Sequence, residues 1–135
     1  MILVDTGYFI GYANQQDGLR GRVLAWNAVL QEKLLVTEYV LWETLNQLSS
    51  PKMRGRGHAI ADVVRTRPAY EFIPASPTLW ERGLQFHRQH ADKAWSLTDC
   101  ISFQVMLDRG IQRALSHDHH FTQAGFDALL RRDPP

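Results

Sequence analysis

Cysteine occurs once in the 135 residues, at Cys100, so no disulfide can form within the chain. Among apolar neighbours it reads as a small core residue, and so sparing a use of cysteine suits a reducing compartment. No apolar run approaches the roughly 20 residues that a membrane-spanning helix needs, which argues against a membrane protein of that kind. The first residues show neither a basic region nor a small-residue cleavage site, so the sequence predicts no signal peptide and a cytoplasmic location. There is no internal repeat and no low-complexity segment. A bias toward one sign of charge is also missing, with 15 basic against 14 acidic side chains and a net charge of +1. That balance hides an asymmetry. If four acids are gathered into one pocket, the rest of the chain carries 15 basic and 10 acidic groups, a net +5, which suits an anionic partner such as nucleic acid.

What is present fits one globular domain over residues 1–135, with 44% hydrophobic and 21% charged residues. Ile2, Leu3 and Val4 form an apolar run that stops at Asp5-Thr6-Gly7. A short run of this kind, closed by a turn signal, reads as a strand buried on both faces, the kind found in helix-covered parallel sheets. A short helical turn is expected over 8–13. Leu19, Val23, Trp26 and Leu30 share one face of an expected helix over 18–33. Residues 34–37 form the second expected strand, and 38–50 a helix with Leu41, Leu45 and Leu48 on its stripe, ended by Pro51.

Gly55 and Gly57 weaken the start of the segment 52–67, and a helical pattern resumes only over 59–65. Tyr70, Phe72 and Ile73 mark a third strand. Ser76-Pro77 is a good helix start, for a helix to about residue 90 with Leu79, Trp80, Leu84 and His87 turned inward. The next helix opens at Ser96-Leu97-Thr98-Asp99, carries Ile101, Phe103 and Met106, and stops at Gly110. Residues 113–116 form a fourth strand, 118–124 a final helical turn, and 126–130 an edge strand. The alternation predicts an α/β fold with three α/β/α layers and a mainly parallel sheet of four to five strands.

In open parallel sheets, ligands bind just past the carboxyl ends of the strands. Asp5 stands at that end of the first strand, where a charge at the end of an apolar strand calls for a partner. Asp118 follows the fourth strand by two residues, Asp99 lies in the first turn of its helix, and Glu43 lies one turn into the helix after the second strand. Each has a local alternative: Asp99 can close a capping box with Ser96, Asp118 can cap the last helix, and Glu43 can sit in solvent. Gathered in one pocket, four carboxylates repel one another, and some hold protons unless a divalent cation is bound. Carboxylate and water ligands suit Mg²⁺ or Mn²⁺.

These acids occur in Ile2-Leu3-Val4-Asp5-Thr6, Leu41-Trp42-Glu43-Thr44-Leu45-Asn46, Trp95-Ser96-Leu97-Thr98-Asp99-Cys100 and Ser116-His117-Asp118-His119-His120-Phe121. The four motifs together resemble the PIN-domain family, in particular the VapC-type toxins of bacterial toxin–antitoxin pairs. The resemblance covers almost the whole chain, and its third motif is the most specific. The fourth departs from the family, which often has Thr where Ser116 stands, and the fourth acidic position varies within it. The resemblance implies a divalent-metal-dependent endoribonuclease that cleaves single-stranded or structured RNA with a metal-activated water. It assigns Asp5, Glu43, Asp99 and Asp118 to one or two Mg²⁺ or Mn²⁺ ions. It further implies a cognate VapB-like antitoxin and a homodimer. The competing function is a catalytically silent PIN-like module that binds RNA or protein.

Thr6, Thr98 and Ser116 each adjoin an acid and are candidates to orient a carboxylate or a water; capping of local backbone is the plainer role. Arg54, Arg56 and Arg65, in a basic segment with Lys52, His58 and Arg67, are candidate contacts to RNA phosphates or to a partner protein. Tyr8, Phe9 and Tyr12 suit the core better than base stacking. His117, His119 and His120 lack the spacing of a helical or strand ligand pair and have no nearby cysteine, so no zinc site is expected. Asn46 reads as a surface amide. Asp17, Asp62, Asp92, Asp108 and Asp127 read as surface or turn residues. A phosphotransferase of the haloacid-dehalogenase type needs a second Asp two residues beyond the first, and Gly7 stands there.

Overall fold

A computed structural model describes residues 1–135. Five strands, β1 (Ile2–Val4), β2 (Leu34–Thr37), β3 (Tyr70–Ile73), β4 (Arg113–Leu115) and β5 (Asp127–Ala128), pair in the order β3-β2-β1-β4-β5. Every pairing is parallel. The chain moves outward on one side of β1 through β2 and β3, then returns to the other side for β4 and β5. The reversal lies between β1 and β4, the place where a parallel sheet leaves a crevice beyond its carboxyl ends.

Side chains alternate across the sheet with the period of two that a strand imposes. Ile2, Val4, Leu34, Val36 and Leu115 face one core layer, and Leu3, Leu35 and Ala114 face the other. The first layer is closed by α1 (Thr6–Ala13), α2 (Arg20–Val29), α3 (Glu38–Gln47) and α4 (Arg54–Thr66) through Tyr8, Phe9, Val23, Trp26, Val40, Leu41, Ala61 and Val64. The second is closed by α5 (Pro77–Gln89), α6 (Leu97–Arg109) and α7 (His119–Gln123) through Leu79, Ile101, Phe103, Met106 and Phe121. Phe103 sits at the centre of an aromatic cluster, edge-on to Trp95 and Phe121 at 5.1 and 4.9 Å.

Several expectations need correction. The helix expected over 18–33 is only Arg20–Val29, because Leu30 already turns to extended backbone. The segment through Gly55 and Gly57 is fully helical. A Cβ on Gly57 would stand 3.0 Å from Leu45 and 3.4 Å from Leu48, so the missing side chain is what lets α4 approach α3. On α5, Trp80 is 44% exposed and His87 is exposed. The inward stripe is Leu79, Gly83 and Phe86, one position off the expected one. The edge strand expected over 126–130 pairs only at Asp127–Ala128, after which Leu129–Arg131 form a 3₁₀ turn.

Gly83 explains the shifted stripe, since a Cβ there would stand 2.3 Å from Ile101 Cγ1. The helices α5 and α6 meet at a bare backbone. Gly83→Ala is expected to destabilise the fold by about 1–3 kcal/mol despite its better helix propensity, because overpacking outweighs the gain. Thermal unfolding checks this, and an unchanged midpoint would refute the close approach.

Candidate metal centre

The site is assembled from strand ends. The last ladder bond at the carboxyl end of β1 runs from Asp5 N–H to the Leu115 carbonyl, at 3.2 Å. Asp5 is the N-cap of α1 but its side chain makes no capping hydrogen bond, so the carboxylate is not taken up by the helix start. Ser116, fully buried just past β4, donates from Oγ to Asp5 Oδ2 at 2.7 Å. The same Ser116 Oγ accepts from Asp118 N–H at 3.0 Å. One hydroxyl therefore ties together the two adjacent strand ends.

Glu43 arrives on α3, whose start is fixed after β2 by the buried Thr37 accepting from Val40 N–H. Asp99 arrives on α6 through a complete capping box: its N–H donates to Ser96 Oγ at 3.0 Å, and its Oδ2 accepts from Ser96 N–H at 3.3 Å. Asp118 caps α7 by accepting from His120 N–H at 2.9 Å. For Asp99 and Asp118 the capping role and the pocket role coexist. Both carboxylates cap a helix and still face the same cavity.

That cavity, about 520 Å³, is walled by Asp5, Thr6, Glu43, Asp99 and Asp118. Ser96, His117 and His120 complete the rim, and Asp17 enters from the loop before α2. Asp17, His117 and His120 went unrecognised in the sequence. His120 Nδ1 stands 3.4 Å from Asp99 Oδ2 and 3.2 Å from Asp118 Oδ1, between the two acids. Asp17 Oδ2 accepts from Leu19 N–H at 3.0 Å.

Among the candidates, Thr98 lies outside these walls, and its hydroxyl reaches no carboxylate. Thr6 lines the pocket with a buried Oγ1 that has no hydrogen-bond partner. Arg54, Arg56 and Arg65 do not line it either. Arg54 and Arg56 each donate to a carbonyl, of Ser49 and Ala13 at 2.7 Å. Arg56 borders a separate groove of about 460 Å³ with Tyr8, Phe9, Tyr12, Ile60 and Tyr70. No acid lines that groove, so it offers no metal chemistry.

Electrostatics agrees with the geometry. Burial pushes the Asp5 carboxyl up to about 7, the Ser116 hydroxyl opposes the shift, and the charges of Asp99 and Glu43 add to it. Asp99 is also raised, first by burial and then by Asp118, with Ser96 and His120 opposing. No three of the four carboxylates come within 4.8 Å of one another, as expected of like charges with nothing between them.

The residues fit a hard divalent ion. The donors are carboxylate oxygens, the Thr6 hydroxyl is an orphaned polar group of the kind a bound water satisfies, and the spacing leaves room for the waters that Mg²⁺ retains.

The comparisons with known proteins agree with this geometry. The model of the PIN domain matches residues 2–127. The chain is 28% identical over 126 residues to the 23S rRNA-specific endonuclease VapC20 of Mycobacterium tuberculosis, covering 93% of this chain and 95% of that protein. The crystal structure of M. tuberculosis VapC20, a sarcin–ricin-loop-cleaving toxin, superposes with a TM-score of 0.85 at 26% identity, over 93% of this chain and 96% of that one. FitAcB from Neisseria gonorrhoeae shares the fold, with a TM-score of 0.64 at 17% identity over 95% of each chain. With a family model spanning nearly the whole chain and four acids at the carboxyl rim of a five-stranded parallel sheet, this chain belongs to the PIN-domain family.

Proposed function

We propose that the chain is a divalent-metal-dependent endoribonuclease, the toxin of a VapBC-like pair, acting on structured or single-stranded RNA. The observation that carries the reading is the convergence of Asp5, Glu43, Asp99 and Asp118 on one pocket. The likeness to VapC20 over nearly the full length of both chains supports the toxin assignment and makes ribosomal RNA the first substrate to try.

In this reading Asp5, Glu43, Asp99 and Asp118 hold Mg²⁺ or Mn²⁺. When bound, the ion lowers the pKa of a water and offsets the charge that develops on the phosphate. The protein's own part is positioning. Ser116 fixes the orientation of Asp5 and, through the Asp118 N–H, the start of α7. Thr6, which lines the pocket and has a buried hydroxyl without a partner, would help to orient a carboxylate or a water. His120 lies between Asp99 and Asp118 and restrains both carboxylates. Phosphate contacts from the exposed Arg54, Arg56 and Arg65 of α4 would add affinity without reading sequence. The partner in this reading is a small VapB-like antitoxin, and the assembly a homodimer.

The test is a cleavage assay on 23S rRNA and on total RNA. Purified protein is expected to cut in Mg²⁺ or Mn²⁺, to stop on chelation, and to recover when the ion is restored. A protein that binds RNA but cuts none under any divalent ion would be the silent module instead.

A further inference from the structure

One donor set, sharing only Asp118 with the four pocket acids, has chemistry that Mg²⁺ does not use. Asp118, His119 and His120 each offer a ligand atom, and the three atoms lie within 4.8 Å of one another. His119 Nδ1 stands 3.5 Å and His120 Nδ1 3.2 Å from the same Asp118 Oδ1. Two bonds of about 2.0–2.1 Å at a tetrahedral angle put ligand atoms about 3.3–3.4 Å apart. Both imidazole-to-carboxylate distances thus match a shared tetrahedral ion, and the two imidazole nitrogens lie within 4.8 Å of each other. The consecutive numbering hides this. Asp118 is extended and His119 begins a helix, so the chain bends between them and brings neighbouring side chains to one side. The two imidazole rings stand 4.4 Å apart.

We propose that Asp118, His119 and His120 form a transition-metal site at the rim of the carboxylate pocket, and that Zn²⁺ bound there withdraws Asp118 from the pocket and stops Mg²⁺-dependent cleavage. Two imidazoles and a carboxylate suit Zn²⁺, Co²⁺ or Ni²⁺, whereas Mg²⁺ prefers oxygen ligands and water. A fourth position is left for water. The site competes with the pocket because Asp118 belongs to both and His120 also faces Asp99. His119 belongs to the rim alone: its side chain is 62% exposed and does not line the pocket. It is therefore the residue that separates the two functions.

The binding part stands by itself, and the inhibition part rests on the ribonuclease reading. Binding is read from the visible d–d absorption of tetrahedral Co²⁺ and its loss on adding Zn²⁺, with no RNA present. Inhibition is read by titrating Zn²⁺ into a cleavage assay at fixed Mg²⁺. The wild type is expected to give the Co²⁺ band and to lose activity as Zn²⁺ is added. His119→Ala is expected to keep its Mg²⁺-dependent rate, lose the band, and need more than roughly 100-fold more Zn²⁺ for the same inhibition, since loss of a ligand costs more than the roughly 10–100-fold that follows loss of a residue that only orients one. No tetrahedral Co²⁺ band in the wild type overturns the site. Equal sensitivity of both proteins to Zn²⁺ overturns the mechanism, since the ion would then act in the carboxylate pocket itself. If neither protein cuts RNA, the ribonuclease reading falls while the Co²⁺ spectra still decide the site.

Discussion

Asp5→Asn is expected to abolish RNA cleavage and, in the absence of divalent ions, to make the protein more stable. The two effects have one cause. Asp5 is half-buried at the carboxyl end of β1, and burial together with Asp99 and Glu43 lifts its carboxyl to about 7. At pH 8 without metal, the fold therefore holds a charge in surroundings that disfavour it. Moving a carboxyl from 3.8 to about 7 corresponds to roughly 4 kcal/mol lost when it ionises. Asparagine has the same shape, still accepts from Ser116 Oγ through its carbonyl, and carries no charge. A rise in thermal midpoint of roughly 5–15 °C at pH 8 in chelator is expected, and it should vanish near pH 4, where the aspartic acid is neutral as well. In the proposed mechanism the same neutrality removes a metal ligand. Losing a ligand should cost more than the roughly 10–100-fold that follows loss of a residue that only orients one. Cleavage of 23S rRNA in Mg²⁺ and melting curves in chelator measure the two halves. An active Asp5→Asn protein would take Asp5 out of the reaction, and a less stable one at pH 8 would contradict the raised carboxyl.

The four acids were legible in the sequence because Asp5 and Asp118 follow strands, Asp99 opens a helix and Glu43 lies one turn into the helix after β2, and strand ends in a parallel sheet converge on one rim. The fold class was legible for the same reason: alternating β and α segments leave few ways to cover both faces of a sheet. What local pattern could not supply was packing between elements. Gly55 and Gly57 lower helix propensity, yet α4 runs through them, because Gly57 is where α3 comes close. Gly83 turns α5 by about one position from the face that Trp80 and His87 suggested. Asp17 follows no strand, and the packing of its loop against α1 alone brings it to the pocket. His119 and His120 looked unsuited to a shared ligand because periodicity arguments assume one regular conformation, and the chain changes conformation at Asp118. Thr98 looked equivalent to Thr6, but its place on α6 turns it away from the pocket.

The stability of the wild-type protein is expected to fall as pH rises from about 4 to about 7 in chelator, and Mg²⁺ or Mn²⁺ should reverse that fall. The sign follows from which state holds the proton. Below about 4 Asp5 is protonated both folded and unfolded, and the group contributes nothing to pH dependence. Between the ordinary 3.8 and about 7 the folded chain keeps a proton that the unfolded chain has released. Stability then decreases with pH throughout that window and levels off above it. Asp99, raised in the same direction by burial and by Asp118, steepens the slope. A divalent ion inverts the balance, because it binds the ionised carboxylates and displaces their protons. Its stabilisation should be small at pH 5, where protons compete, and about 2.7 kcal/mol at pH 8 at a hundred times the dissociation constant. Calorimetry of Mn²⁺ binding in buffers of different ionisation enthalpy should show proton release near pH 6 and little at pH 8. A flat melting profile between pH 5 and 8 in chelator would mean that Asp5 and Asp99 ionise freely. The pocket would then exert no strain for a cation to relieve, and the physical reason for binding one there would be gone.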